Sequence, residues 1–188
     1  ASLFFRNQKF IALITGLGFA FTGNHSFKRK ILKTLIKILY GLGLKKANAI
    51  IFQNPDDKND FRSSGLLKQD KPVYVVNGSG VSLEDFPFSK VSESKLNFLM
   101  ISRLIGDKGV REYVEAGKIL NKDNYVAHLH LVGSFDSNPD SMTKDEIKFW
   151  KELEWFTWHG PTNDVAPFID KSSVYVLPSY REGTPRTV

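Results

Sequence analysis

Two stretches of this chain, Leu96–Ile101 and Val174–Leu177, are apolar well beyond every second position, Val126–Val132 is apolar but for His128 and His130, and helix-like segments separate them. A strand with one wet face alternates apolar and polar residues, whereas a strand covered on both faces does not. Strands of the second kind between helices require a parallel sheet with helices on its two faces, an α/β fold. Shorter apolar segments at Ile11–Thr15, Ala49–Phe52, Val73–Val76 and Phe156–Trp158 extend the pattern. Helices are expected over residues 26–42, 55–64, 108–120, 144–153 and 163–170, the second opened by an Asn54 cap and Pro55. The mixed, polar stretch Phe86–Ser94 reads as a connection between two lobes. In such sheets a ligand sits beyond the carboxyl ends of the strands. The informative loops are therefore 102–109, 133–140, 159–164 and 178–186.

The 188 residues carry a formal charge of +6, which favours anionic partners. That charge is local. Lys28, Arg29, Lys30, Lys33, Lys37, Lys45 and Lys46 fall in a stretch without a single acid. Ile31, Leu35, Ile38, Leu39 and Leu42 share one helical face there, and the cations lie on the other. Such a helix either rests on an anionic membrane surface through residues 28–46 or packs by its apolar face with its lysines in water. The apolar run Phe10–Phe21 is shorter than the ~20 residues of a membrane span and is broken by Gly16 and Gly18. With no cysteine there is no disulfide framework, which fits a reducing cytoplasm. The start at Ala1 and the stop at Val188 read as cuts through a longer protein.

Chemistry concentrates in two loops. Arg103 follows the strand Leu96–Ile101, and Lys108-Gly109 opens the next helix, so two cations can meet one anion at a helix amino terminus. Arg supplies a planar fork for phosphate oxygens and Lys a compact charge, and a diphosphate suits both. Two solvated surface cations are the plain alternative. The second loop runs Pro178-Ser179-Tyr180-Arg181-Glu182-Gly183-Thr184-Pro185-Arg186. Gly183 permits close backbone approach to a ligand, and an ionised Glu182 accepts hydrogen bonds only, as sugar hydroxyls require. An ordinary helix-capping glutamate would look the same in isolation.

Order and spacing add what each loop lacks. Asn77-Gly78-Ser79-Gly80-Val81, Ser102-Arg103-Leu104 with Lys108-Gly109, Leu131-Val132-Gly133, His159-Gly160, and Leu177-Pro178-Ser179 through Glu182-Gly183-Thr184-Pro185 succeed one another. This succession resembles the family 4 retaining glycosyltransferases of the GT-B fold, two Rossmann-like domains with parallel sheets. The likeness is close over residues 72–188 and looser over 10–70. It implies that residues 1–90 are the end of an incomplete acceptor-side domain plus the connection. It implies that 91–188 are a nucleotide-sugar-binding domain truncated at its carboxyl end. By position, the resemblance implies that Arg103 and Lys108 bind the donor diphosphate and Glu182 holds the donor sugar. Gly183, Thr184 and Pro185 would line the sugar and diphosphate. His159, Gly160 and Val165 would lie near the base, with Gly133 beside them. The implied activity is transfer of a sugar from a UDP-sugar to a glycan or lipid-linked acceptor in polysaccharide synthesis, without metal or other cofactor. The implied place is the cytoplasm, peripherally on the inner face of the membrane. The family's second glutamate, eight positions after Glu182, has no counterpart, so this stretch alone is expected to transfer little or no sugar.

Other chemistries find less support. No Asp-x-Asp pair occurs to hold a metal diphosphate, and no Gly-Lys-Ser/Thr phosphate loop occurs. His128 and His130 alternate along a strand and share a face, without carboxylates or cysteines at ligand spacing, so packing or hydrogen bonding is their expected role. His25 reads as a surface-loop histidine, and Trp150, Trp155 and Trp158 as core or sheet edge. The basic stretch lacks the interleaved aromatics of a nucleic-acid surface. The rival function is a non-catalytic module that binds a nucleotide or sugar phosphate and transfers nothing.

Overall fold

The computed structural model describes residues 9–16, 27–67, 70–88, 90–91, 96–123, 125, 127–185 and 187, with only the backbone described at 27–30 and 33. His25, Gly18 and Arg186 lie outside the described residues. Packing divides the chain into two compact units. One comprises the described residues of Ala1–Gly80 and Glu182–Arg186, the other those of Val81–Arg181 with Thr187.

The first unit is built on a parallel sheet of three strands in the order β1 (Ile11–Ile14), β2 (Ala49–Phe52) and β3 (Val73–Val75). Helix α1 (Phe27–Leu44) connects β1 to β2, and α2 (Pro55–Ser63) follows β2. Central β2 buries Ile50 and Phe52 completely, and edge β1 alternates, with Ala12 and Ile14 inside. The Phe61 ring on α2 meets Phe52 and Tyr40 edge-on, 5.1 and 4.9 Å between centroids. Asn54 caps α2 as its sequence position predicts, its side-chain oxygen accepting from the Asp57 N–H at 2.7 Å. The end of α1 is closed by a side chain far along the chain. The Lys71 ammonium donates to the carbonyls of Leu44, Lys45 and Ala47 at 2.7–2.8 Å, its three protons meeting three carbonyls at the negative end of the helix. The apolar face of α1 remains uncovered, with Ile31, Leu35, Ile38, Leu39 and Leu42 54–66% exposed.

The second unit is a four-stranded parallel sheet in the order β6 (Phe156–Gly160), β5 (Ala127–Val132), β4 (Leu96–Ile101) and β7 (Val174–Tyr175). Helices α3 (Val110–Lys122), α4 (Lys144–Trp150) and α5 (Ala166–Asp170) are its crossovers. One core gathers Met100, Leu129, Leu131 and Phe156 from the strands, Val110, Tyr113 and Val114 from α3, and Ile147 and Trp150 from α4. Trp155 and Trp158 pack against it, so all three tryptophans of the chain belong to this unit. The Tyr113 hydroxyl reaches the carbonyls of Phe98 (2.9 Å) and His130 (3.2 Å), tying α3 to two adjacent strands, and its burial raises the phenol pKa.

Two helices start two or three residues later than expected. Lys108 does not open an α-helix: Gly106–Lys108 form a 3-10 turn, and Gly109 takes a left-handed conformation (φ 74°) before α3 starts. The helix expected from residue 163 begins at Ala166, because residues 162–164 form a turn closed by the Thr162 hydroxyl and the Asp164 N–H (3.1 Å).

Candidate functional site

The loops at the carboxyl edge of the second sheet are held by their own backbone. After β4, the Leu104 side chain is fully buried while its N–H and carbonyl bond Ser134 (2.9 Å) and Met142 (2.8 Å). The next turn is pinned by the Gly106 N–H on the Asp140 carbonyl. These bonds fix the backbone just after Arg103, and the Ser102 N–H on the Val132 carbonyl (3.0 Å) fixes it just before. Its side chain, 60% exposed, reaches from this base to Asp136, with Nη1 2.7 Å from Oδ2. Asp136 is prepared for a cation: its Oδ1 accepts from the Asn138 N–H at 2.8 Å. That bond, and then the Arg103 guanidinium, hold its carboxyl below the usual carboxylate range.

Lys108 lies five residues on, at the end of the 3-10 turn. The loop after β7 lies against this turn. A Cβ on Gly109 would overlap the Pro178 carbonyl, and the Tyr180 N–H donates to the Asp107 carbonyl (3.0 Å). The Tyr180 hydroxyl donates to Glu112 at 2.6 Å.

Gly133 directly follows β5 with φ 152°, and a Cβ there would run into the Ser102 carbonyl. Only glycine lets the β4 and β5 loops come this close. Its N–H donates to the Gly160 carbonyl (2.9 Å), and its own carbonyl accepts from the Trp158 indole (3.0 Å). Val165 occupies the cap position of α5.

His159 is exposed beside Gly160. One of its ring nitrogens, Nε2, lies 3.0 Å from His130 Nδ1, and its ring also meets Phe168. His128 lies 4.7 Å from His130, ring to ring, and its Nε2 contacts the Thr157 hydroxyl at 2.9 Å. The expected shared face of His128 and His130 is therefore present, and His159 joins it. Burial, then the neighbouring imidazoles, push His130 down to about 4; His159 is lowered for the same reasons, and His128 by burial. Among the described residues no group of three or more His, Cys, Asp or Glu is placed to hold a metal ion.

Arg103, Lys108, Gly133, His159, Gly160 and Val165 thus all leave one edge of one sheet, although they are spread over three crossovers. Glu182, Gly183, Thr184 and Pro185 group with the first unit. There Asn54 Nδ2 donates to the Glu182 carbonyl (3.3 Å), the Thr184 hydroxyl donates to the Gln53 carbonyl (2.7 Å), and Gly183 lies tight against the Thr15 carbonyl. Asp136 and Trp158 were not singled out as site residues by the sequence. The turn-forming run Asp136-Ser137-Asn138-Pro139-Asp140 is the signal that could have drawn attention to Asp136.

Residues 82–188, more than half of the chain, match the family model described as glycosyl transferases group 1. The chain belongs to this family. A Campylobacter jejuni N,N'-diacetylbacillosaminyl-diphospho-undecaprenol alpha-1,3-N-acetylgalactosaminyltransferase is 32% identical over 191 residues, 94% of this chain and 48% of that one. The capsular polysaccharide biosynthesis glycosyltransferase CapM of Staphylococcus aureus is 26% identical over 190 residues, 95% of this chain and 49% of that one. This group 1 chain spans about half the length of the curated relatives it matches. Among solved structures, Anabaena Alr3699/HepE in complex with UDP and glucose superposes with a TM-score of 0.61 at 14% identity, over 94% of this chain and 48% of that one. At that identity the likeness establishes the fold, that of the GT-B glycosyltransferases.

Proposed function

We propose that this chain handles the nucleotide-sugar donor in a retaining glycosyltransferase that moves a sugar from a UDP-sugar to a lipid-linked or capsular glycan acceptor. The observation that carries the reading is the carboxyl edge of the second sheet. A cationic loop bearing Arg103 and Lys108 stands there beside Gly133 and Gly160, in a chain of the glycosyl transferases group 1. The named substrate of the Campylobacter relative supports a diphospho-undecaprenol-linked acceptor, and the UDP and glucose bound to the Anabaena neighbour support the donor class.

In this reading Arg103 and Lys108 neutralise charge growing on the departing diphosphate, the role a metal ion serves elsewhere. No metal is needed. His159, Gly160, Val165 and Gly133 border the base, Glu182 accepts from donor-sugar hydroxyls, and Gly183, Thr184 and Pro185 line the sugar. The uncovered apolar face of α1, in a stretch without acids, supports peripheral attachment to an anionic membrane on its cytoplasmic side. Calorimetry with UDP tests the donor site. Arg103→Ala and Lys108→Ala are each expected to weaken binding by roughly 1.5–3 kcal/mol, the loss of one charged hydrogen bond. Unchanged affinity in both variants would remove the assignment.

A further inference from the structure

The second unit carries another cationic surface that the donor reading does not use. Lys144 and Lys148 lie on α4 and Lys151 is its carboxyl cap, in the helical conformation. Positions i, i+4 and i+7 fall on one helix face, so the three ammonium groups form a row. None of the three has a hydrogen-bond or ion-pair partner among the described residues. By contrast, Glu146 on the same helix is engaged by Arg111 at 2.7 Å. The row borders a groove of about 420 Å³ whose apolar walls are Phe135, Ile147 and Trp158. One acid, Glu152, also lines it, so cations outnumber anions three to one.

The aromatic wall is fixed. Phe135 and Trp158 meet edge to face, 5.4 Å between centroids at 74°. The indole N–H is already bonded to the Gly133 carbonyl, and Phe135 keeps 37% of its surface exposed. An exposed ring beside unpaired ammonium groups asks for a ligand with an apolar face and repeated negative charge. A pyranose offers the C–H face and a uronate the carboxylate. Successive lysines step along the helix by roughly 4.5–6 Å at 1.5 Å per residue, close to the length of one sugar residue. A nucleic acid fits less well. Its bases want successive parallel stacking platforms, whereas these two rings stand perpendicular to each other.

We propose that this groove binds an acidic oligosaccharide, with sugar rings against Phe135 and Trp158 and carboxylates on Lys144, Lys148 and Lys151. The choice of a saccharide rests on the reading of this chain as part of a glycan-building enzyme; the groove itself is separate from Arg103 and Lys108.

Calorimetry on the 188-residue chain tests it, with hexagalacturonate as probe, maltohexaose as the neutral counterpart and hexathymidylate as a competing polyanion. Hexagalacturonate is expected to bind saturably and more tightly than both others. The triple variant Lys144→Gln/Lys148→Gln/Lys151→Gln and, separately, Phe135→Leu are each expected to lose about tenfold or more in its affinity. UDP affinity should stay unchanged in the lysine variant, whose substitutions are all at exposed positions and leave the fold in place. Arg103→Ala should show the reverse pattern, so failure of the donor site and failure of the groove are told apart. No binding of hexagalacturonate overturns the proposal. So does hexathymidylate binding equally well, which marks a plain polyanion surface, or full affinity in the lysine variant.

Discussion

Arg103 is paired before any ligand arrives, and the partner matters to how it would receive one. Asp136 places a carboxylate 2.7 Å from the guanidinium, so an incoming diphosphate competes with an anion already in place. Asp136→Asn keeps the shape of the loop and removes the competing charge. A few-fold tighter UDP binding at low salt is expected, shrinking as salt screens the pair, and titrations at two ionic strengths will show it. His130 offers a second check at this scale. It resists protonation down to about 4, while an imidazole in the unfolded chain accepts its proton near 6.5. Between those values the unfolded state binds the extra proton, so the second unit loses stability as pH falls from about 6.5 to 4 and levels off below. An imidazole resonance of His130 titrating near 4 by NMR, against a free-histidine value, decides this. The sequence made Arg103 and Lys108 visible because their setting, a strand end followed by a glycine, is local. Asp136 was not visible as the partner, because the two residues are 33 positions apart and only the turn after β5 brings them together.

At the scale of elements, most strands were legible as short apolar runs set off by turns and helices, even where one face stays exposed as in β1; β2 and β4 match their expected limits. The start of α3 was not. Periodicity registers which positions are apolar, and it does not register that Gly109 turns left-handed against Pro178, a contact set by packing across the sheet edge. The cap on α1 was equally hidden, since Lys71 lies 27 residues beyond Leu44, whose carbonyl it reaches. Three carbonyls depend on one ammonium there. Lys71→Met is expected to cost about 1–3 kcal/mol, the scale for losing hydrogen bonds to a charged group. Hydrogen exchange will place the loss: amides in the last turn of α1 should exchange faster, while those of β5 in the other unit keep their rates.

For the whole molecule, α1 poses the largest question. Its periodicity was legible, and two fates were open for its apolar face; the structure leaves that face exposed. A membrane-resting helix should bind anionic vesicles in a salt-sensitive way. Lys30→Gln/Lys33→Gln/Lys37→Gln is expected to abolish that binding while circular dichroism stays unchanged. Wild-type protein that ignores such vesicles even at low salt would make α1 an ordinary surface helix. The division into two units could not be read from apolar runs alone, because both halves carry the same strand and helix grammar. The uneven distribution of indoles now gives that division an optical handle. With Trp150, Trp155 and Trp158 all in the second unit, tryptophan emission is blind to the first, whose aromatic cluster is Tyr40, Phe52 and Phe61. Far-ultraviolet dichroism sees the peptide bonds of both. The chain therefore carries a built-in two-channel readout, in which one spectrum follows a single lobe and the other follows the sum.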